Sequence, residues 1–347
     1  MKKITALFLA AAFLLVLAGC ETKPKSGFGE VNVYNWGDYI SEGIIEDFQD
    51  KTGITVHLLN FETNEQLYSV LRQGGSDFDV IIPSDYMIDR LIDEDMLEKL
   101  DFKNIPNYAL IDPELKNLEF DPTGEYSVPY LWGTVGIICN SSMIDAEITS
   151  WEALFNPAYA GQILMFDNSR DAMGIALKLL GFSYNTTDPA ELEAAFTMLR
   201  IQKPLLQGYV MDQIFDKLEA GEAAIGPYYA GDYITMSEAN PDLRFVIPAE
   251  GTNRFVDSMC IPKGARNKAN AEAFINFMCS TEPSLMNAEE IGYTSPNIEV
   301  RALLNLSAEA EAITYPSEEI LSRCEVFTNL PQDILDLYDD YWVRLKS

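Results

Sequence analysis

The chain has 347 residues, 48% apolar and 22% charged, the proportions of a soluble globular protein with room for two cores. Its 54 acidic side chains against 24 basic ones leave a formal charge of -30, and the chain lacks the Lys/Arg stripe that phosphate neutralisation needs, which excludes nucleic acid as a partner. The same charge fits a cationic ligand, although an acidic, solvated surface accounts for it equally well.

The first segment reads as a targeting sequence. Lys2 and Lys3 form a positive start, and ITALFLAAAFLLVLAG follows as an apolar run. The run ends Leu17-Ala18-Gly19-Cys20, which resembles the lipobox of bacterial lipoproteins. That resemblance implies a signal peptide over residues 1–19, cleavage before Cys20 and a lipid on its sulfur. The alternative, an uncleaved membrane helix, needs a span of about 20 residues, and this run is short for it. Residues 20–28, with Lys23, Pro24, Lys25, Ser26 and Gly27, read as a tether. The expectation is a protein outside the cytoplasmic membrane, held to it through lipid.

Strand and helix signals then alternate. VNVYN is a strand, and Ser41 is placed to cap the helix in SEGIIEDFQDKTG, where Ile44, Ile45 and Phe48 share a face and Gly53 ends it. ITVHLLN is the next strand, NEQLYSVLRQGG the next helix, and FDVIIP a continuous apolar strand. This β-α-β-α-β order predicts a mostly parallel sheet buried on both faces. TVGIICN, SWEALFNP and QILMFD resume the pattern, followed by the helix SRDAMGIALKLLG. DPAELEAAFTMLR and MDQIFDKLEAGE read as helices, AAIGPYY, RFVIP and FVDSMCIP as strands, and NKANAEAFINFMC as a helix. QDILDLYDDYWVRL closes the chain as an amphipathic helix. Two α/β units with no low-complexity linker between them suggest a chain that crosses between lobes more than once.

The search for chemistry finds little to support catalysis. The single histidine, His57, lies in the strand ITVHLLN, with no G-x-S-x-G elbow to accompany it. Neither a G-x-G-x-x-G after the first strand nor a P-loop is present, so no nucleotide cofactor is expected. After Cys20, the cysteines Cys139, Cys260, Cys279 and Cys324 are widely spaced without C-x-x-C, and no zinc site is expected. Cys139 and Cys260 sit in apolar strand runs and read as small buried residues.

What recurs is an aromatic beside a carboxylate at strand ends, where open α/β sheets bind ligands. WGDY holds Trp36, Asp38 and Tyr39; PSDY holds Ser84, Asp85 and Tyr86; YYAGDY holds Tyr228, Tyr229 and Asp232; RFVDS holds Phe255 and Asp257. Each alone reads as core packing plus a helix cap, and Asp85, Asn168 and Asp232 have cap positions. Four together suggest a cleft. Aromatic faces attract ammonium by about 0.5–2 kcal/mol, and hydrogen bonds to charged groups contribute about 1.5–3 kcal/mol. Aromatic walls with carboxylates at both ends suit a ligand that is hydrocarbon in the middle and cationic at its tips, which describes a polyamine.

The stretches YNWGDYI, FDVIIPSDYMIDRL, YSVPYLWGTVGI, TSWEALFNPAYAG, VDSMCIP and IGYTSPN, in this order, resemble the spermidine/putrescine-binding proteins of bacterial polyamine ABC transporters. The resemblance runs from about Val31 to the C-terminal helix. It implies an α/β, two-lobed periplasmic-binding-protein fold of type II kind, closing on ligand in the interlobe cleft, with a cognate permease and ATPase complex as partners. Lobe one is expected over 29–134 plus 256–301, and lobe two over 138–252 plus 305–347. The family's binding residues fall on Trp36, Asp38, Tyr39, Ser84, Tyr86, Asp171, Asp257 and Tyr293. Asn168 stands where the spermidine binder has a second acid, and Tyr229 and Phe255 stand where the family has pocket tryptophans. Nothing carries over onto CEVFTNL. Asn168 leaves one acid fewer for a third amine, so the pattern leans toward putrescine or spermidine over spermine.

Two other readings compete. Adjacent Tyr228 and Tyr229 resemble the tyrosine pair of ferric-iron-binding transport proteins, whose phenolates are hard ligands. A secreted, lipid-anchored hydrolase would have to use His57.

Overall fold

A computed structural model describes residues 29–37, 39–74 and 77–347. The signal peptide, Cys20, the tether and Asp38 lie outside the described residues.

The first half follows the expected alternation. β1 (Glu30–Trp36), α1 (Glu42–Thr52), β2 (Thr55–Phe61), α2 (Asn64–Arg72) and β3 (Val80–Ile81) are in order, followed by α3 (Asp85–Asp93). β2 and β3 flank β1 in parallel. α1 ends at Gly53 in the left-handed region with φ 70°, a conformation cheap only for glycine. Ser41 is the extended residue before α1, but its side chain makes no cap bond; its N–H instead donates to Asn287 Oδ1 at 3.0 Å. β1 is largely buried, whereas β2, at the sheet edge, is mostly exposed.

β4 (Ser127–Asn140) is longer than the strand read in TVGIICN, because the pairing continues through Pro129 with a register shift between Pro129 and Leu131. The second half contains β5 (Ile163–Phe166), α4 (Ser169–Leu179), α5 (Pro189–Gln202), β6 (Leu206–Val210), α6 (Ile214–Glu219), β7 (Ile225–Tyr229), α7 (Ala230–Ala239) and β8 (Leu243–Val246). β9 (Arg254–Cys260) then returns to the first half, followed by α8 (Lys268–Met278) and α9 (Thr281–Ile291). α10 (Ala308–Thr314), α11 (Glu318–Leu321) and α12 (Gln332–Lys346) complete the chain.

The strand order is β2-β1-β3-β9-β4-β7-β5-β6, with β8 also on β4. The outer pairs β1–β2, β1–β3, β5–β6 and β5–β7 are parallel. The central strands are antiparallel, since β9 and β4 carry the chain between halves in opposite directions. β4 pairs with β9 over Ser127–Thr134 and with β7 over Val135–Cys139, so its partner changes between Thr134 and Val135. The junction is fastened by the Val135 N–H donating to Asn253 O at 3.0 Å and by the Glu325 strand segment, whose N–H donates to Thr252 O and whose carbonyl accepts from Arg254.

Two apolar clusters flank the first half's sheet, and a third fills the second half. Tyr229 packs against clusters of both halves, which puts the end of β7 at the boundary between the two lobes. Cys139, Cys260 and Cys279 are buried and Cys324 is half-buried; all four are free thiols.

Candidate functional site

The site is assembled from the ends of strands and the starts of helices. In the first lobe, β1 delivers Trp36 and the turn after it Tyr39, the turn before α3 supplies Ser84, and β9 carries Phe255 and Asp257. In the second lobe, Asn168 and Asp171 begin α4, while Tyr229 and Asp232 stand at the start of α7. Tyr293 follows α9, which ends at Gly292 in the left-handed region with φ 82°.

Four of these rings form a continuous wall. Tyr39 meets Tyr293 edge-on at 5.2 Å, Tyr293 meets Phe255 at 5.8 Å, and Phe255 meets Tyr229 at 5.3 Å. Edge-to-face contacts at these distances are the preferred geometry of aromatic pairs. The wall crosses from lobe to lobe, since Tyr229 comes from β7. Trp36 packs instead on Phe61 at 4.4 Å, and its buried Nε1 has no hydrogen-bond acceptor. Tyr86 stands apart from the four rings: its hydroxyl donates to Glu65 Oε1 at 3.0 Å and accepts from Asn64 Nδ2 at 3.1 Å, with its ring 6.3 Å from Phe327.

Carboxylates hang from this wall. The Tyr39 hydroxyl donates to Asp257 Oδ2 at 2.7 Å, and the Tyr293 hydroxyl donates to Asp232 Oδ2 at 2.8 Å. Asp257 is 6% exposed, and its other oxygen, Oδ1, is buried with no partner. Ser84 bridges to Asp257 through its backbone. Asn168 caps α4 by accepting from the N–H groups of Arg170 and Asp171, and its Nδ2 donates to Asp171 Oδ2 at 2.6 Å. The cap position foreseen for Asn168 is thus occupied, and the same side chain also orients an acid.

Burial dominates the electrostatics. Desolvation pushes Asp257 up to about 6, offset in part by the nearby Ser84 hydroxyl and the Tyr39 hydrogen bond. It pushes Asp232 to about 7 against the Tyr293 bond, and Asp171 to about 7 against the charge of Arg170. Each is an acid whose ionised form is only partly compensated. The Tyr39, Tyr229 and Tyr293 hydroxyls are pushed well up by burial and by these same carboxylates, so they stay neutral donors. Such a place favours a cation that brings its own N–H donors.

Three residues of this region were not carried into the binding set read from the sequence. Asp232 reads there as a cap, and its partner Tyr293 is 61 positions away. Arg170 gives no signal, being one basic residue beside Asp171. Phe327 lies in CEVFTNL, the stretch with no recognisable family match. The competing readings gain no geometric support. The Tyr228 hydroxyl is engaged by Asp212 Oδ1 at 2.9 Å, and among the described residues no cluster of three His, Cys, Asp or Glu is placed for a metal. His57 is exposed on edge strand β2, 3.3 Å from Glu30 Oε2.

Residues 43–314 match the family model described as bacterial extracellular solute-binding protein. The spermidine/putrescine-binding periplasmic protein of Salmonella typhimurium is 35% identical over 350 residues, covering 100% of this chain and 99% of the relative. The structure of a putative spermidine/putrescine ABC transporter protein from Listeria monocytogenes superposes with a TM-score of 0.87 at 39% identity, over 91% of this chain and 98% of its own. A lipoprotein of Treponema pallidum does so with a TM-score of 0.83 at 27% identity, over 91% and 99%.

Proposed function

The chain belongs to the bacterial extracellular solute-binding proteins, in the branch of the spermidine/putrescine-binding proteins, and from that premise we propose how its cleft holds a polyamine. The protein binds polyamine outside the cytoplasm and delivers it to an ABC transporter. Its work is binding and release, with no bond made or broken.

The methylene chain lies against the wall of Tyr229, Phe255 and Tyr293, with Trp36 and Tyr86 along its sides and Tyr39 closing the slot. Asp257 and Asp171 accept from ammonium groups, and Asp38 with Ser84 holds a terminus. Asp232 joins them. It supplies from α7 a charge of the kind that Asn168 gives up on α4, so the cleft has acids enough for a diamine or a triamine. Lobe one, 29–134 plus 256–301, and lobe two, 138–252 plus 305–347, close on the ligand by bending where β4 changes partner.

The observation that carries this reading is Asp257 Oδ1: a buried carboxylate oxygen, beside an aromatic wall, with no donor of its own. Burying a charge is costly unless it is paired, and an ammonium completes the pair. Calorimetry against putrescine, spermidine, spermine and uncharged 1,4-butanediol tests it. Binding of the amines without the diol is expected. Equal binding of the diol, or no heat from any amine, refutes it.

The anchor is the lipid on Cys20, read from Leu17-Ala18-Gly19-Cys20. Cys20→Ala should block processing or release the protein from membranes; a processed, membrane-bound Cys20→Ala protein refutes the anchor.

A further inference from the structure

Arg170 sits in the first turn of α4, beside the ligand acid Asp171, yet the residue is 6% exposed and forms no salt bridge with a described carboxylate. Its guanidinium carbon lies 4.6 Å from the Phe327 ring centroid, 5.4 Å from that of Tyr338 and 5.7 Å from that of Tyr86. Nη2 donates to Asn185 Oδ1 and to Thr328 O, both at 3.3 Å, and Nε is buried with no acceptor. Two of the three rings belong to the C-terminal segment, whereas Tyr86 belongs to α3 of the first lobe. The cation therefore reaches across the cleft.

The segment around Phe327 spans the same gap. On the second-lobe side Asn185 accepts from Thr328 N–H at 3.0 Å and donates to Val326 O at 2.8 Å, while Glu325 pairs with Lys178 at 2.5 Å. On the first-lobe side the Asn329 N–H donates to Asp89 Oδ2 at 3.0 Å, and Phe327 meets Tyr86. Residues 325–329 thus form a strap fixed to the second lobe and touching α3 of the first. Arg170 is its pin.

We propose that Arg170 is a positioning residue for ligand retention, a tethered cation that latches the lobes together through Tyr86 and the Glu325–Asn329 strap whether or not polyamine is present. The ring faces around it attract a cation most strongly where water is excluded, as here. The positive charge of Arg170 also acts on both Asp171 of the second lobe and Asp85 of the first, so opening the cleft withdraws it from one of the two acids. Arg170 is not among the residues proposed to hold the ligand. It acts by lowering the free energy of the closed state, and a ligand that needs closure to be held gains residence time from it.

The test compares Arg170→Met, which keeps the stem and loses the charge, with Arg170→Lys, which keeps a charge and loses the planar fork. The proteins are unfolded and refolded to strip ligand, and small-angle scattering is recorded with and without saturating putrescine. Stopped-flow displacement gives the putrescine dissociation rate; this arm rests on the polyamine reading, and the ligand-free scattering does not. Arg170→Met should be more expanded than wild type when empty, equally compact when saturated, and release putrescine about tenfold faster, the factor for losing one desolvated cation–π contact. Arg170→Lys should fall between the two, and it carries the test if the Met variant does not fold. An unchanged empty radius in a folded variant overturns the latch, whatever happens to thermal stability. Failure of wild type to bind putrescine overturns the polyamine reading instead, with the scattering comparison still deciding the latch.

Discussion

Replacing Asp257 by Asn removes one charge from the cleft and almost nothing else. The carboxylate is nearly fully buried, Tyr39 donates to Oδ2 at 2.7 Å, and Oδ1 has no protein partner. In the variant the amide oxygen keeps the Tyr39 bond, and the amide NH2 then faces the ligand ammonium where an acceptor stood. Losing one partner of a buried ion pair costs about 3–5 kcal/mol, a weakening of about two hundred- to several thousand-fold. The empty protein should melt at the same temperature or higher, because a desolvated acid has been taken away. Putrescine titrated by calorimetry into wild type and Asp257→Asn, at low and at physiological salt, measures the difference. Salt should barely change the ratio, since a buried pair is poorly screened. Affinities within a factor of about three would falsify the buried carboxylate clamp.

Asp171 and Asp232 at about 7 and Asp257 at about 6 hold protons that unfolded carboxyls release near pH 4. The empty fold thus binds more protons than the unfolded chain from about pH 4 to 7, and its stability should fall as pH rises through that window. A cationic ligand favours the ionised forms, so affinity should rise from pH 5.5 to 7.5 with proton release, seen as a buffer-dependent calorimetric enthalpy; a flat profile contradicts it. Gly231→Ala would put a Cβ 2.3 Å from the Tyr293 ring, expelling Tyr293 from its bond to Asp232. Affinity should drop about tenfold or more, given overpacking costs of about 1–3 kcal/mol, with wild-type affinity as the contrary result. Asp232→Asn should weaken spermidine more than putrescine if it receives the extra amine, and equal losses for both would argue against that role.

The strand-end aromatics and acids were legible because a strand that enters a cleft leaves its last side chains in a fixed place. In the ring wall, Tyr39, Phe255 and Tyr229 come from those short stretches, whereas Tyr293 follows a helix and was reached only through the family resemblance. Asp232 was not separable from a helix cap, because what distinguishes it is the hydroxyl of a residue 61 positions on. Arg170 and Phe327 were invisible for the same reason: their partnership is made by α4 and the C-terminal strap meeting, and no local spacing encodes it. The full length of β4 was hidden by Pro129, which reads as a strand breaker and is absorbed here at a register shift. β6 and α9 also carry too little periodicity in LQGYV and TEPSLMNAEEI to stand out.

β9 lies between β3 and β4, yet it is synthesised more than a hundred residues after both. The first lobe's sheet therefore lacks its middle strand until residues 254–260 arrive, and β1–β3 have no way to join β4 before then. The second half has a smaller gap of the same kind, since β7 lies between β4 and β5 and follows both, and its core also takes Ile334, Tyr338, Tyr341 and Leu345 from α12. Order of synthesis and order of assembly are thus out of step: the first half begins first but waits for residues 254–260, and the second waits for α12 to complete its core. A leading end that has nothing to close upon stays short of its native sheet until most of the chain has been made.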